Sequence, residues 1–142
     1  MRIVIDTNIW VSGLLWQGLP WRLLRLAEEG AVEICMSLSM LTELAEVLSH
    51  ERLQPRLEQL KLTPSEVVAY AMGLASIFEV PGGDPIVAAD TDDDVFLRCA
   101  LVAGAAYVVS GDHHLLDLRE YAGISILTIR HFLTEEFPDQ IM

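Results

Sequence analysis

Four carboxylates in this chain have the surroundings that catalytic acids need. Asp6 closes the apolar run Ile3-Val4-Ile5 and is followed by Thr7 and Asn8. Asp94, behind Asp92 and Asp93, directly precedes a second apolar run, Val95-Phe96-Leu97. Asp112 follows Val108-Val109-Ser110-Gly111, and Glu43 lies inside Ser39-Met40-Leu41-Thr42-Glu43-Leu44. Single acids at such places have an ordinary explanation, because the dipole at a helix N-terminus favours each by about 0.3–1 kcal/mol and Asp makes turns and caps. That suffices for Asp92 and Asp93, and for Asp112 taken alone. A converging set needs more. Four carboxylates about 6 Å apart repel by roughly 3 kcal/mol per pair at an effective dielectric near 20. Over six pairs that is on the order of 17 kcal/mol, against the ~5–15 kcal/mol that holds a whole domain together. Such a cluster must take up protons or cations. Its donors are all oxygen, which suits Mg²⁺ or Mn²⁺. No Cys/His spacing argues for zinc, and the adjacent His113 and His114 read as surface. An ion held there serves metal-assisted attack of water on a phosphodiester.

These acids share an edge only if particular elements hold them. Ile3, Val4 and Ile5 are too few for a buried helix and are β-branched, as expected of a central parallel strand buried on both faces. A carboxylate at the C-terminal end of such a strand stands where open α/β sheets put their ligands. Downstream, a short helix is expected over 9–16, then Gln17-Gly18-Leu19-Pro20 breaks it and Pro20 opens a second helix that Gly30 stops. A strand over 31–36 follows, then a helix to about Ser49, capped by Ser37 or Ser39. Residues 50–62 read as a more polar helical stretch. Thr63-Pro64-Ser65-Glu66 is a capping box with proline at the first helical position, opening a helix to about Ile77. Residues 86–88 read as a strand, 95–103 as an apolar helix ended by Gly104, 106–109 as a strand, 113–119 as a short helix or turn, and 124–127 as a last strand before a helix capped by Thr128. This alternation implies parallel strands joined by right-handed crossovers, with helices on both faces.

The length of 142 residues is that of one domain, and 1–142 reads as a single unit without repeat or linker. No stretch reaches the ~18 apolar residues of a membrane span, no leader precedes the first strand, and Cys35 and Cys99 read as buried free thiols, so a cytoplasmic setting is expected. A net charge of −12, from 21 acidic and nine basic residues, argues against a nucleic-acid partner unless cations neutralise the acids or self-association gathers the arginines. The hydrophobic share of 52% and the crowding of Trp10, Trp16 and Trp21 point to a subunit interface, with ordinary core as the alternative.

Taken in order, the segments Ile3-Val4-Ile5-Asp6-Thr7-Asn8, Ser39-Met40-Leu41-Thr42-Glu43-Leu44, Asp92-Asp93-Asp94-Val95-Phe96-Leu97 and Val108-Val109-Ser110-Gly111-Asp112 resemble those of PIN-domain nucleases. More narrowly, the chain is similar to bacterial and archaeal PIN proteins taken to be the toxins of toxin–antitoxin pairs. The resemblance implies a three-layer α/β/α fold around a mostly parallel five-stranded sheet. It implies an endoribonuclease dependent on Mg²⁺ or Mn²⁺, an RNA substrate, an antitoxin partner, and a homodimer or higher homo-oligomer. Carried across by position, Asp6, Glu43, Asp94 and Asp112 are the catalytic and metal-binding acids. Thr7, Asn8 and Ser110 match positions that orient those acids or the water, and Asp93 is the alternative to Asp94 in register. Three other readings compete. One is a PIN-fold binding or scaffold module without catalysis, which the charge favours. Another is a housekeeping RNA-processing or structure-selective DNA nuclease. The last is a phospho-accepting domain centred on Asp6, which leaves Glu43 and the later acids unexplained.

Overall fold

The computed structural model describes residues 1–82 and 93–141. Six strands form one sheet in the order β3-β2-β1-β4-β6-β5. They are β1 (Arg2–Ile5), β2 (Glu33–Ser37), β3 (Ser76–Phe78), β4 (Tyr107–Val109), β5 (Glu120–Tyr121) and β6 (Ile124–Leu127). All neighbours pair in parallel except β5 with β6. The fold is α/β with a central, mostly parallel sheet flanked by helices, and the described residues supply six strands where five were expected.

Ile3, Val4 and Ile5 are fully buried, because β1 is sandwiched between β2 and β4 and covered on both faces. The chain leaves β1 through α1 (Thr7–Leu15) and α2 (Leu19–Glu28) to β2, and continues outward through α3 (Leu38–Leu48), α4 (Gln54–Leu60) and α5 (Pro64–Leu74) to β3. It then returns past β1, and α6 (Asp94–Ala103) leads into β4 on the other side. Right-handed crossovers taken in opposite directions put their helices on opposite faces. Accordingly α1, α2, α3 and α5 pack among themselves, and α6 packs on β1, β2, β3 and β4. The short α7 (His113–Leu116) and the closing α8 (Ile129–Glu136) complete the chain. The order of strands reverses between β1 and β4, so their C-terminal ends open a crevice at the topological switch point.

The local signals explain most boundaries. The Ser37 hydroxyl accepts from the Met40 amide at 3.2 Å and caps α3. The expected box closes on α5, with the Glu66 amide donating to Thr63 Oγ1 at 3.2 Å and the Thr63 amide to Glu66 Oε1 at 3.1 Å. Thr128 caps α8 through the His131 amide at 3.1 Å. Gly13 lets α2 close on α1, since a Cβ there would stand 2.8 Å from both the Pro20 carbonyl oxygen and Leu24 Cδ1.

Several boundaries differ from expectation. The helix expected to reach Ile77 ends at Leu74, and Ser76, Ile77 and Phe78 pair with Cys35, Met36 and Ser37 instead. Glu120 and Tyr121, to which no element was assigned, form an antiparallel edge on β6. The second strand begins at Glu33, two residues later than expected. The strand expected over 86–88 lies outside the described residues. Of the tryptophans, Trp10 is core at 1% exposure while Trp16 is 43% exposed. Both cysteines are buried and free. Burial pushes the Cys35 thiol up to about 11 and the Cys99 thiol up to about 12.

Candidate active site

Register alone brings the first two groups together. Ile5 pairs with Val109, so Asp6 and Ser110 are the next residues on adjacent strands, tied by the Asp6 amide donating to the Val109 carbonyl at 3.2 Å. The backbone extends through Asp6 and coils at Thr7, making Asp6 the N-cap of α1. Its Oδ1 accepts from the Ile9 amide at 2.9 Å. Its Oδ2 accepts from the Ser110 hydroxyl at 2.6 Å and the Gly111 amide at 3.1 Å. A carboxylate offers about four lone-pair sites. Three filled from protein fix its orientation and leave room for one more partner. Asp6 is 6% exposed and Ser110 fully buried, so water competes little for these bonds.

Ser110 acts in two directions. Its Oγ donates to Asp6 and accepts the Asp112 amide at 2.9 Å. Asp112 in turn caps α7, its Oδ1 accepting from the His114 amide at 2.8 Å. Asp6, Asn8 and Asp112 line one cleft of about 240 Å³, together with Ile9, Ser12, Pro20 and Gly111. Thr7, the first residue of α1, is buried. The His113 and His114 rings lie against one another, tilted by 39° with centres 4.2 Å apart.

The other acids reach the same edge by a different route. The C-terminal residue of α6, Ala103, accepts a 2.7 Å bond from Arg2 Nη1 at the start of β1. That end of the helix is therefore at the N-terminal edge of the sheet. Ten helical residues rise about 15 Å, which returns Asp94, the first residue of α6, to the C-terminal edge. Asp94 is 1% exposed, and its Oδ2 lies 3.9 Å from Arg98 Nη2, one turn along the helix. Asp93 precedes it, also buried at 6%. Glu43 is exposed on α3, off the buried stripe of Met40, Leu44 and Leu48. It lines a cavity of about 500 Å³ with Ser37, Ser39, Val95 and Arg98. Thus Asp6 and Asp112 stand together, and Glu43 and Asp94 each stand with Arg98.

Among the described residues, no group of three or more His, Cys, Asp or Glu side chains is placed to hold a metal ion. The donor chemistry nevertheless fits a hard divalent cation. Every candidate ligand is a carboxylate, and Mg²⁺ is commonly held by only one or two carboxylates, with waters and a substrate phosphate supplying the rest. The cleft of Asp6 and Asp112 meets that requirement. Two contributors were not singled out from sequence. The Gly111 amide carries no side-chain signal. Arg98 did have one, its i,i+4 spacing from Asp94 on a largely apolar helix.

A model of the PIN domain matches residues 2–114. The chain belongs to the PIN-domain family. The match runs from β1 through Asp112 and takes in every acid described above, while β5, β6 and α8 lie beyond it. PIN domains have a nuclease-type fold, are generally hydrolases and typically use divalent metal ions. No curated protein matches the chain. Among the described residues, no helix is long and apolar enough to cross a membrane.

Proposed function

We propose that this PIN domain is an endoribonuclease dependent on Mg²⁺ or Mn²⁺, and the toxin of a toxin–antitoxin pair. The observation that carries the reading is Asp6, oriented by three donors at the β1/β4 switch point, with Asp112 across the same cleft. A carboxylate fixed this firmly, with one acceptor position left over, is suited to ligation. On the sequence reading, Asp6, Asp94 and Glu43 hold the principal ion, with Asp112 completing the site or holding a second; the cleft that Asp6 shares with Asp112 supports giving Asp112 a place beside Asp6. When bound, the ion lowers the pKa of its water and stabilises charge on the scissile phosphate. The chain's own residues do the positioning. Ser110 and Gly111 stop Asp6 from rotating, the Ser110 hydroxyl holds the Asp112 backbone, and Asn8 offers an amide at the cleft. Residues 1–142 act as one cytoplasmic domain that self-associates as a homodimer or higher homo-oligomer, a reading supported by the 52% hydrophobic composition and the half-exposed Trp16.

The test is a mixed RNA pool incubated with purified, antitoxin-free protein in EDTA, Mg²⁺ or Mn²⁺. Cleavage with either metal and none in EDTA is expected. The net charge of −12 favours a second reading, a PIN-fold binding or scaffold module without catalysis. That reading gains if a folded sample cleaves nothing and calorimetry detects no Mn²⁺ uptake.

A further inference from the structure

A nuclease carrying a charge of −12 gains little from long-range attraction to RNA, because that part of binding comes from lysine and arginine against phosphate. Affinity then has to come from contacts that do not depend on charge. Stacking of bases on aromatic rings is one such contact, and it tolerates any sequence because every base has a π face. The structure puts an exposed ring beside the cleft of Asp6 and Asp112. Asn8 and Ser12 line that cleft, and Trp16 follows them at the same four-residue step; all three are exposed. The Trp16 amide donates to the Ser12 carbonyl at 3.0 Å, so Trp16 stands one helical turn, about 6 Å along the axis, beyond a residue of the cleft wall.

We propose that Trp16, backed by Arg56, is a base-stacking platform for single-stranded RNA at the mouth of the Asp6–Asp112 cleft. This rests on the nuclease reading above and deepens it. The Arg56 guanidinium carbon lies 5.5 Å from the centre of the Trp16 ring, within the ~6 Å of a cation–π contact. The guanidinium is itself fixed, its Nε donating to the Leu15 carbonyl at 2.8 Å and its Nη1 to Gln59 Oε1 at 3.2 Å. A ring held against a fixed cation has little rotamer freedom left to lose when a base stacks on it. The ring is still 43% exposed, so contact surface remains. Arg52, four residues before Arg56 and exposed, adds positive charge on the same helical path, which suits the phosphates flanking a stacked base. The exposure of Trp16 also counts toward self-association, and its place one turn from the cleft is what favours RNA.

The experiment compares the parent with Trp16→Ala and Trp16→Phe, all checked for folding by circular dichroism and for oligomeric state by sedimentation. Anisotropy in Ca²⁺ reads the binding of a fluorescein-labelled single-stranded RNA, and of an abasic ribose-phosphate strand of the same length, across a salt series. Cleavage is read in Mn²⁺. Trp16→Ala should weaken RNA binding about five- to a hundredfold, as loss of one stacked base does, with the loss of kcat/KM falling mainly in KM. The slope of log K against log salt should not change, since a ring neutralises no phosphate. Trp16→Phe should recover most of the affinity, and the abasic strand should bind the parent and Trp16→Ala alike. An RNA affinity in Trp16→Ala within about twofold of the parent, or an equal loss on the abasic strand, would overturn the proposal. So would a loss of affinity that appears only where an oligomer falls to monomers, which would assign the ring to self-association. If RNA binding depends on Trp16 but the parent cleaves nothing in Mn²⁺, the nuclease reading fails and the platform stands. If the parent cleaves and Trp16→Ala cleaves with the same KM, the platform alone fails. If the parent binds no RNA, both fail.

Discussion

Replacing Ser110 with alanine removes one oxygen from the centre of the site, and the structure sets the size of the effect. The hydroxyl makes one buried and one partly buried bond, donating to Asp6 Oδ2 at 2.6 Å and accepting the Asp112 amide at 2.9 Å. A bond to a charged group contributes about 1.5–3 kcal/mol, and a buried amide left without an acceptor costs about 1–3 kcal/mol. The Asp6 carboxylate keeps the Ile9 and Gly111 amides, and Asp112 is only partly buried, so the lower ends apply and the net cost is about 2–4 kcal/mol. A domain of this length has an unfolding entropy that converts 1 kcal/mol into roughly 3–4 °C, so the melting temperature should fall by about 6–15 °C. Function should suffer separately, because outer partners of metal ligands typically govern about 10- to 100-fold in metal affinity. The assay is thermal melting by circular dichroism, with the Mn²⁺ dependence of RNA cleavage measured well below the variant's transition. Ser110→Thr, which keeps the hydroxyl, serves as the control. A melting temperature within about 2 °C of the parent, together with an unshifted Mn²⁺ requirement, would refute the view that this hydroxyl fixes Asp6.

Other consequences follow from the packing. Gly13→Ala would set a Cβ 2.8 Å from the Pro20 carbonyl oxygen, a backbone atom that cannot rotate away; α1 and α2 must separate, at about 1–3 kcal/mol, which a urea titration would detect as a lower midpoint. The Tyr107 phenol donates to Glu136 Oε1 at 2.5 Å, and that bond, with burial, pushes the phenol up to about 12 from the usual 10. A raised pKa in the folded state means that the contribution is complete below about pH 10 and is lost as pH climbs from about 10 to 12. Tyr107→Phe should therefore lose about 1 kcal/mol at neutral pH and narrow the gap to the parent as pH rises through that window, followed by urea midpoints at each pH. A gap that stayed constant to pH 12 would contradict the assigned bond.

What the sequence made legible was whatever its side chains state locally. Three successive β-branched residues at 3–5 marked the central strand. The caps at Ser37, Thr63 and Thr128 marked helix starts because each signal is a hydroxyl three residues from the amide it accepts. Elements defined by pairing were not legible. Ser76-Ile77-Phe78 continues the apolar character of α5, and only the ladder to β2 makes it a strand. The β5–β6 hairpin turns through Ala122 and Gly123, both at positive φ (52° and 84°). Two residues with φ > 0 belong to a tight hairpin turn whose usual first residue is Asn or Asp, so alanine there concealed the turn. The site divides likewise. Asp6 at a strand end and Ser110 two residues before Asp112 could be placed from the chain. The Gly111 amide could not, since its contribution depends on the β1–β4 register.

The central claim is that Asp6 and the acids at its edge support RNA cleavage through a divalent cation. The most direct measurement strips the protein with EDTA, restores Mn²⁺, and follows cleavage of a mixed RNA pool by the parent and by the Asp6→Asn, Asp94→Asn double variant. Both should melt as folded domains. Metal-restored cleavage by the parent, reduced by about 10³-fold or more in the variant, or roughly 4 kcal/mol of barrier, is the predicted result. Equal cleavage by the two proteins, or parental cleavage that persists in EDTA, would contradict it.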